Sequence, residues 1–311
     1  MAEQGTSLSL ADYRGLTEAR VREPGRLRLA LTGRRRRPLV GDDGRMLLIA
    51  ADHTARGKLA VGSGPMAAAD RFTLLDRIVT GLADSRVDGV LGSADVLEEL
   101  ALLGALDGRL AVGTMNRGGI VGARWELDDR LTAYDPAHVV SSGLDGGKTL
   151  LRIEPTDPGV PRTLEMVARI TTALADAGVM SLVEPLPYRT RPDGGVELDP
   201  SEDALVRTVA IASGLGSSSA HTWLKVPATA DPARVAAATT CPILLLGGDA
   251  GREHERVFDA WERALEVPNV RGLVPGRALL YPEVLSVREA VDRAASLVHP
   301  AASTLAEEIT P

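Results

Sequence analysis

The chain has 311 residues, 44% of them hydrophobic and 25% charged, which excludes a disordered chain and leaves room for a large core. A formal net charge of −7 and an aromatic content of 3% argue against a nucleic-acid or anionic-membrane partner, since the chain offers neither a general cationic field nor ring platforms for bases. The single cysteine, Cys241, cannot form an internal disulfide, so a reducing compartment is expected.

In chain order, Leu10, Tyr13, Leu16, Ala19, Val21, Leu27 and Leu31 recur at helical spacing and predict an amphipathic helix over 10–32, kinked or split by Pro24. The run Arg34-Arg35-Arg36-Arg37 before Pro38 reads as a solvated connector. Beyond a Gly41-Asp42-Asp43-Gly44 turn the pattern becomes repetitive. Short apolar runs at 46–51, 89–91, 110–112, 149–153, 179–183, 222–226, 243–246 and 272–274 alternate with helical patterns at 72–83, 94–103, 162–177, 201–212, 233–238, 253–264 and 287–297. Strands that are apolar throughout predict a parallel sheet covered on both faces. Eight such repeats predict an α/β fold, a (β/α)8 TIM barrel, rather than an open sheet. We therefore expect residues 45–311 to form the barrel and residues 1–44 to be an extension packed on it. No basic-then-apolar signal opens the sequence and no apolar stretch reaches about 18 residues, which predicts a soluble, cytoplasmic protein.

Such barrels carry their sites at the C-terminal ends of the strands. Asp52-His53 follows the first run, Arg117 the third, and Lys148 and Arg152 lie on the fourth strand. Glu184 ends the fifth, Lys225 lies in the sixth, Gly247-Gly248 follow the seventh and Gly276-Arg277 the eighth. Lys58, Lys148 and Lys225 are the only lysines, and the other 32 of the 35 basic residues are arginine. A lysine kept in such a chain is suited to losing its proton, which a guanidinium does not do. Lys225 sits in Trp223-Leu224-Lys225-Val226-Pro227, where desolvation favours a neutral amine able to attack a carbonyl. The alternative is a purely structural pair with Glu184. Glu184 is placed to shuttle protons, or merely to neutralise a lysine. Lys148 would add a second ammonium near the first, and Asp145 and Glu154, close in sequence, would favour that charged form. Asp52 suits a sugar hydroxyl, and His53 beside it suits packing or substrate contact. Gly247, Gly248, Gly276 and Arg277 fall where barrels bind phosphate, and Arg117 and Arg152 are further cationic substrate-binding candidates.

Other motifs fail. Gly146-Gly147-Lys148-Thr149 lacks the first glycine of a P-loop, which would fall at Ser142. His254-Glu255 has no second histidine at zinc-protease spacing, and no metal or cofactor site is implied.

The sequence resembles the class I, Schiff-base aldolases, the group that includes tagatose-1,6-bisphosphate aldolase and, more distantly, deoxyribose-phosphate and archaeal-type fructose-bisphosphate aldolases. The resemblance runs in order through Ala51-Asp52-His53, Gly147-Lys148-Thr149-Leu150-Leu151, Val183-Glu184-Pro185-Leu186-Pro187-Tyr188, Leu224-Lys225-Val226-Pro227, Leu246-Gly247-Gly248 and Gly276-Arg277-Ala278. It implies that Lys225 forms an imine, that Glu184 assists proton transfer, and that Gly248, Gly276 and Arg277 hold a phosphate. It implies a phosphorylated sugar substrate and a lyase needing no cofactor; a homo-oligomer is expected. The sequence departs from tagatose-bisphosphate aldolases in His53-Thr54-Ala55-Arg56-Gly57 and in the segment before residue 44. It is closest to a branch associated with myo-inositol catabolism, for which 6-phospho-5-dehydro-2-deoxygluconate is the expected substrate. A phosphosugar isomerase or epimerase, or a silent phosphosugar-binding barrel, are the alternatives.

Overall fold

A computed structural model describes residues 7–116, 120, 122–123, 125–247 and 253–300. Two helices precede the first strand, α1 (Leu10–Arg22) and α2 (Gly25–Gly33). Ser9 caps α1 by accepting from the Asp12 amide, and Pro24 divides the two helices, as its missing donor predicts. Leu16, Ala19, Leu27 and Leu31 are buried, whereas Leu10 and Val21 face solvent, so the apolar stripe is narrower than the spacing suggested.

Among the described residues, eight parallel strands close into a barrel: β1 (Met46–Ala50), β2 (Gly89–Gly92), β3 (Leu110–Thr114), β4 (Gly146–Ile153), β5 (Met180–Thr190), β7 (Thr222–Pro227), β8 (Ile243–Leu246) and β9 (Val270–Leu273). Closure comes from the pairing of β4 with β5. Intervening helices include α3 (Arg71–Leu82), α4 (Ala94–Leu102), α5 (Pro136–Ser141), α6 (Val160–Asp176), α7 (Glu202–Ser213), α8 (Pro232–Ala236), α9 (His254–Leu265), α10 (Arg277–Leu280) and α11 (Val287–Val298). The expected TIM barrel is therefore the observed fold. No helix among the described residues is long and apolar enough to cross a membrane.

The period-2 alternation of each strand sorts its side chains. Met46, Leu48, Leu91, Leu110, Val112, Met180, Leu182, Trp223 and Leu244 pack together inside the barrel. Leu47, Ile49, Val90, Ala111, Val183, Leu224 and Leu245 pack outward against the helices. At the seam, a side chain on Gly272 would put its Cβ 1.8 Å from the Met46 carbonyl oxygen, and its φ of +146° also favours glycine.

Three expectations need correction. The fourth strand begins at Gly146 and not at 149, so the ladder starts earlier than the apolar run, and Lys148 lies on the strand as expected. The fifth runs on to Thr190, because it leaves the barrel as a hairpin with the antiparallel β6 (Val196–Leu198). Its polar tip has the composition of a loop, and cross-strand pairing alone makes it a strand. The arginine run is solvated only in part: Arg35 and Arg36 are exposed, but the run is also tied to the barrel. Arg34 is buried, with Nη2 2.5 Å from Asp145 Oδ2, and Arg36 takes the other Asp145 oxygen at 2.9 Å. Arg37 lies 2.5 Å from Asp88. Both aspartates sit just before strands, at the N-terminal mouth of the barrel, where only the fold brings them to residues 34–37.

Candidate active site

β4, β5 and β7 each turn a polar side chain into the barrel above its apolar filling. On β4 the inward positions include Lys148, on β5 Glu184 and on β7 Lys225, since each shares the parity of the interior residues Met180, Leu182 and Trp223 on its sheet. Asp52 follows β1, directly before a 3₁₀ turn, His53–Arg56. These four are brought together. Glu184 contacts Lys148 through Oε2, and its Oε1 lies 3.4 Å from Lys225 Nζ. Lys148 Nζ is in turn 3.4 Å from Asp52 Oδ2. Their exposures are 0% for Lys148, 3% for Asp52, 5% for Lys225 and 8% for Glu184.

Two ammonium groups and two carboxylates balance when all are ionised, which lets the cluster exist out of water. Burial by itself would push the Glu184 carboxyl up, but the positive charges of Lys148 and Lys225 outweigh it and hold the group at about 2. Glu184 is thus a carboxylate at neutral pH, held between the two amines. The neighbours expected for Lys148 are different from those found. Asp145 is held by Arg34 at the opposite end of the barrel, and Glu154 accepts from Thr156 N at 2.7 Å. Sequence proximity misled here because neighbours on one strand face opposite ways or lie layers apart.

Among the other candidates, Gly247 is packed so closely that a Cβ would lie 2.7 Å from Pro275 Cβ and 3.2 Å from Ala278 Cβ, joining the ends of β8 and β9. A Cβ on Gly276 would meet the Ala50 carbonyl oxygen at 2.5 Å. Arg277 opens α10 and donates through Nη1 to Ala60 O at 3.1 Å. His53 is the first residue of the 3₁₀ turn and is half-buried. Arg117 and Gly248 lie outside the described residues. Arg152 faces the mouth above Lys148, but its guanidinium is engaged by protein. It forms a bidentate pair with Asp129 at 2.7 and 2.9 Å, donates to the Glu126 carbonyl, and lies 5.3 Å over the Tyr188 ring.

Asn116, Asp129, Glu126 and Tyr188 were not singled out from sequence. Asn116 and Asp129 are fully buried, and each sits on the connection between β3 and α5, whose sequence has no periodicity to signal a buried side chain. A cleft of about 1030 Å³ between residues 125–130, 157–166 and 191–196 borders this network through Glu126 and Asp129 and includes neither barrel lysine.

Solved structures share this architecture. Cgl0159 from Corynebacterium glutamicum is 44% identical, with a TM-score of 0.91 over 95% of this chain and 99% of that one. An archaeal fructose 1,6-bisphosphate aldolase is 19% identical, with a TM-score of 0.65 over 88% of this chain and 98% of that one. An archaeal fructose-1,6-bisphosphate aldolase with its catalytic Lys covalently bound to the carbinolamine intermediate of the substrate is 20% identical, with a TM-score of 0.63 over 87% and 97%. At those last two identities the likeness is one of fold. Nothing among curated proteins matches the sequence. The model of the Cgl0159-like family matches residues 44–295, and with the 44% identity to Cgl0159 itself this establishes that the chain belongs to the Cgl0159-like family.

Proposed function

We propose that the protein is a class I aldolase, a lyase that cleaves a phosphorylated keto-sugar through an imine on Lys225. The observation that carries this reading is the buried cluster in which one carboxylate, Glu184, touches Lys148 and stands 3.4 Å from Lys225. Two carboxylates neighbour Lys148, whereas among the described residues one lies within ion-pair distance of Lys225. Lys225 is the amine with fewer carboxylates against it, and it is the nucleophile in this scheme.

Lys225 passes its proton to Glu184, and the free amine adds to the substrate ketone. The carbonyl oxygen takes that proton back from Glu184, the nitrogen then gives up a second proton, which Glu184 carries to the same oxygen, and water leaves, giving an iminium. A base, Glu184 or a water held by Asp52, removes the proton of the β-hydroxyl. The C–C bond breaks, its electron pair passes to the iminium as an enamine, and the aldehyde fragment departs. Protonation of the enamine carbon and addition of water release the ketose-phosphate fragment and restore Lys225. The iminium is the electron sink throughout. Gly247, Gly276 and Arg277, with Gly248, form the phosphate subsite; His53 and Arg117 complete the substrate contacts.

For the substrate we favour 6-phospho-5-dehydro-2-deoxygluconate, as in myo-inositol catabolism. Its C5 ketone would form the imine, and C3–C4 cleavage would yield dihydroxyacetone phosphate and malonate semialdehyde. The same reading makes residues 45–311 the catalytic barrel, residues 1–44 an extension on its base, and the enzyme a cytoplasmic homo-oligomer. The test is borohydride reduction with dihydroxyacetone phosphate, fructose 1,6-bisphosphate and the deoxygluconate, read by intact-mass and peptide mass spectrometry. A single adduct on Lys225 is expected. An adduct on Lys148 would move the nucleophile to β4, and turnover of a phosphosugar with no adduct would replace the aldolase by an isomerase.

A further inference from the structure

The mouth of the barrel above Lys148 is closed on one side by an all-protein polar network. Met115 N donates to Lys148 O at 2.9 Å, the last ordinary rung between β3 and β4. The next rung is supplied by a side chain. Asn116 Oδ1 accepts from Leu150 N at 2.6 Å, and Asn116 Nδ2 donates to Leu150 O at 2.6 Å and to Asp129 O at 3.1 Å. Asp129 then turns its carboxylate back to β4, where it takes Arg152 in a fork at 2.7 and 2.9 Å. Arg152 is 1% exposed and also bonds the Glu126 carbonyl and lies over Tyr188. Both polar atoms of the Asn116 amide and three nitrogens of the guanidinium are therefore committed to the chain itself.

We propose that Asn116, Asp129 and Arg152 are positioning residues, a brace that clamps β4 just downstream of Lys148 and holds its amine against Glu184 and Asp52, so that Arg152 does not bind substrate. An arginine reserved for a phosphate or carboxylate keeps its fork open towards the ligand, whereas this fork is closed by Asp129. Asp129 is also within electrostatic range of Lys148 and of Arg56. Among the described residues, the charged groups around Lys148 include Asp52 from the end of β1, Glu184 from β5, Lys225 from β7, Asp129 from the β3–α5 connection, Arg152 from β4 and Arg56 from the 3₁₀ turn.

The catalytic consequence of the brace rests on the imine reading, and its effect on Lys148 does not. Two measurements separate them. In the first, dihydroxyacetone phosphate and borohydride are used to follow adduct formation on Lys225 in the full chain carrying Arg152→Lys, which keeps the charge but cannot span both Asp129 oxygens in a planar fork. The rate of adduct formation should fall on the order of tenfold, since small misplacements of reacting groups are costly, while the half-saturating concentration stays within about twofold. A raised half-saturating concentration with an unchanged rate would make Arg152 a substrate ligand and overturn the brace, as would no change in either quantity. In the second, the three lysines allow a carbon-13 spectrum of the lysine ε-carbons with three resonances to resolve. In Asp129→Asn the Lys148 resonance should move and titrate at lower pH, because a nearby carboxylate is lost while the Arg152 cation remains. A Lys148 resonance and titration identical to wild type overturns the brace. Failure of the wild-type protein to form any adduct would sink the imine reading and leave the spectrum as the judge of the brace.

Discussion

The two mouths of the barrel hold buried ionic clusters built from different cations. At the N-terminal mouth the cations are arginines: Arg34 and Arg36 share Asp145, and Arg37 meets Asp88. Both aspartates also accept backbone amides, Ala111 N at 2.9 Å and Leu47 N at 2.7 Å. At the C-terminal mouth the cluster around Glu184 uses lysines, and two of its contacts are loose, at 3.4 Å. Guanidinium holds its charge permanently and matches a carboxylate with two parallel bonds; an amine is a point charge that can give up its proton. The difference teaches that this chain, which uses arginine almost everywhere, including the Arg152–Asp129 pair at this same mouth, places lysine around Glu184, where the proposed chemistry needs a charge that can change.

The sharpest way to break that comparison is Lys225→Arg, which preserves charge and approximate length. We expect complete loss of the borohydride adduct and of turnover with an unchanged thermal midpoint; an active variant would remove the distinction between the two ends. At the other mouth, Asp145→Asn leaves Arg34 buried opposite a neutral amide. Breaking a buried pair in this way costs about 3–5 kcal/mol. Urea unfolding should register that loss, while adduct formation per folded molecule stays at the wild-type rate.

Arg277 sharpens the comparison, as an arginine at the lysine end. If its task is a fixed charge for phosphate, Arg277→Ala should raise the half-saturating concentration of dihydroxyacetone phosphate by roughly ten- to a hundredfold, the loss of a charge-assisted contact of about 1.5–3 kcal/mol. Unphosphorylated dihydroxyacetone should be nearly indifferent, and equal losses on both ketones would make Arg277 structural.

The smallest effect is in the pH dependence of stability. His299, after α11, has Nδ1 2.5 Å from Asp43 and Nε2 3.0 Å from Asp88. Burial pulls its pKa down, but the hydrogen bonds to Asp88 and Asp43 outweigh that and raise it above the ordinary 6.5. The stabilisation it contributes is fully present below the unfolded pKa of 6.5 and is lost as pH rises through the folded value. Glu184 behaves in the opposite sense. Its folded pKa of about 2 lies below the ordinary 4.5, so its contribution is present above 4.5 and is lost as pH falls towards 2. Thermal midpoints measured from acid to alkaline pH should show His299→Gln losing stability at pH 6 and converging on wild type in alkali. A deficit that is constant across pH would assign His299 a packing role alone.

The barrel and its lysine end were legible because both depend on local regularities. Apolar runs alternating with helical patterns specify a covered parallel sheet, and period-2 parity sends Lys148, Glu184 and Lys225 inward once their strands are recognised. The rarity of lysine then marks two of the three. Asn116 and Asp129 carried no such mark, because each is one polar residue in an aperiodic connection that becomes buried only when the chain folds back over β4. The arginine run was misread for the same reason. Four adjacent arginines look solvated until Asp88 and Asp145, some 50 and 110 residues away in sequence, are carried to them by the closing of the barrel.

Sequence alone determined the order of the eight barrel strands and of the longer helices, though not α5, β6 or α10, and the chemical types at the strand ends, since hydrophobic periodicity and residue chemistry act over a few residues. Only the tertiary structure decided which charges meet. Electrostatic and hydrogen-bond partners are set by distance in space, and barrel closure brings Asp52 to Lys148 across β2 and β3, Glu184 between two lysines, and Asp129 to Arg152.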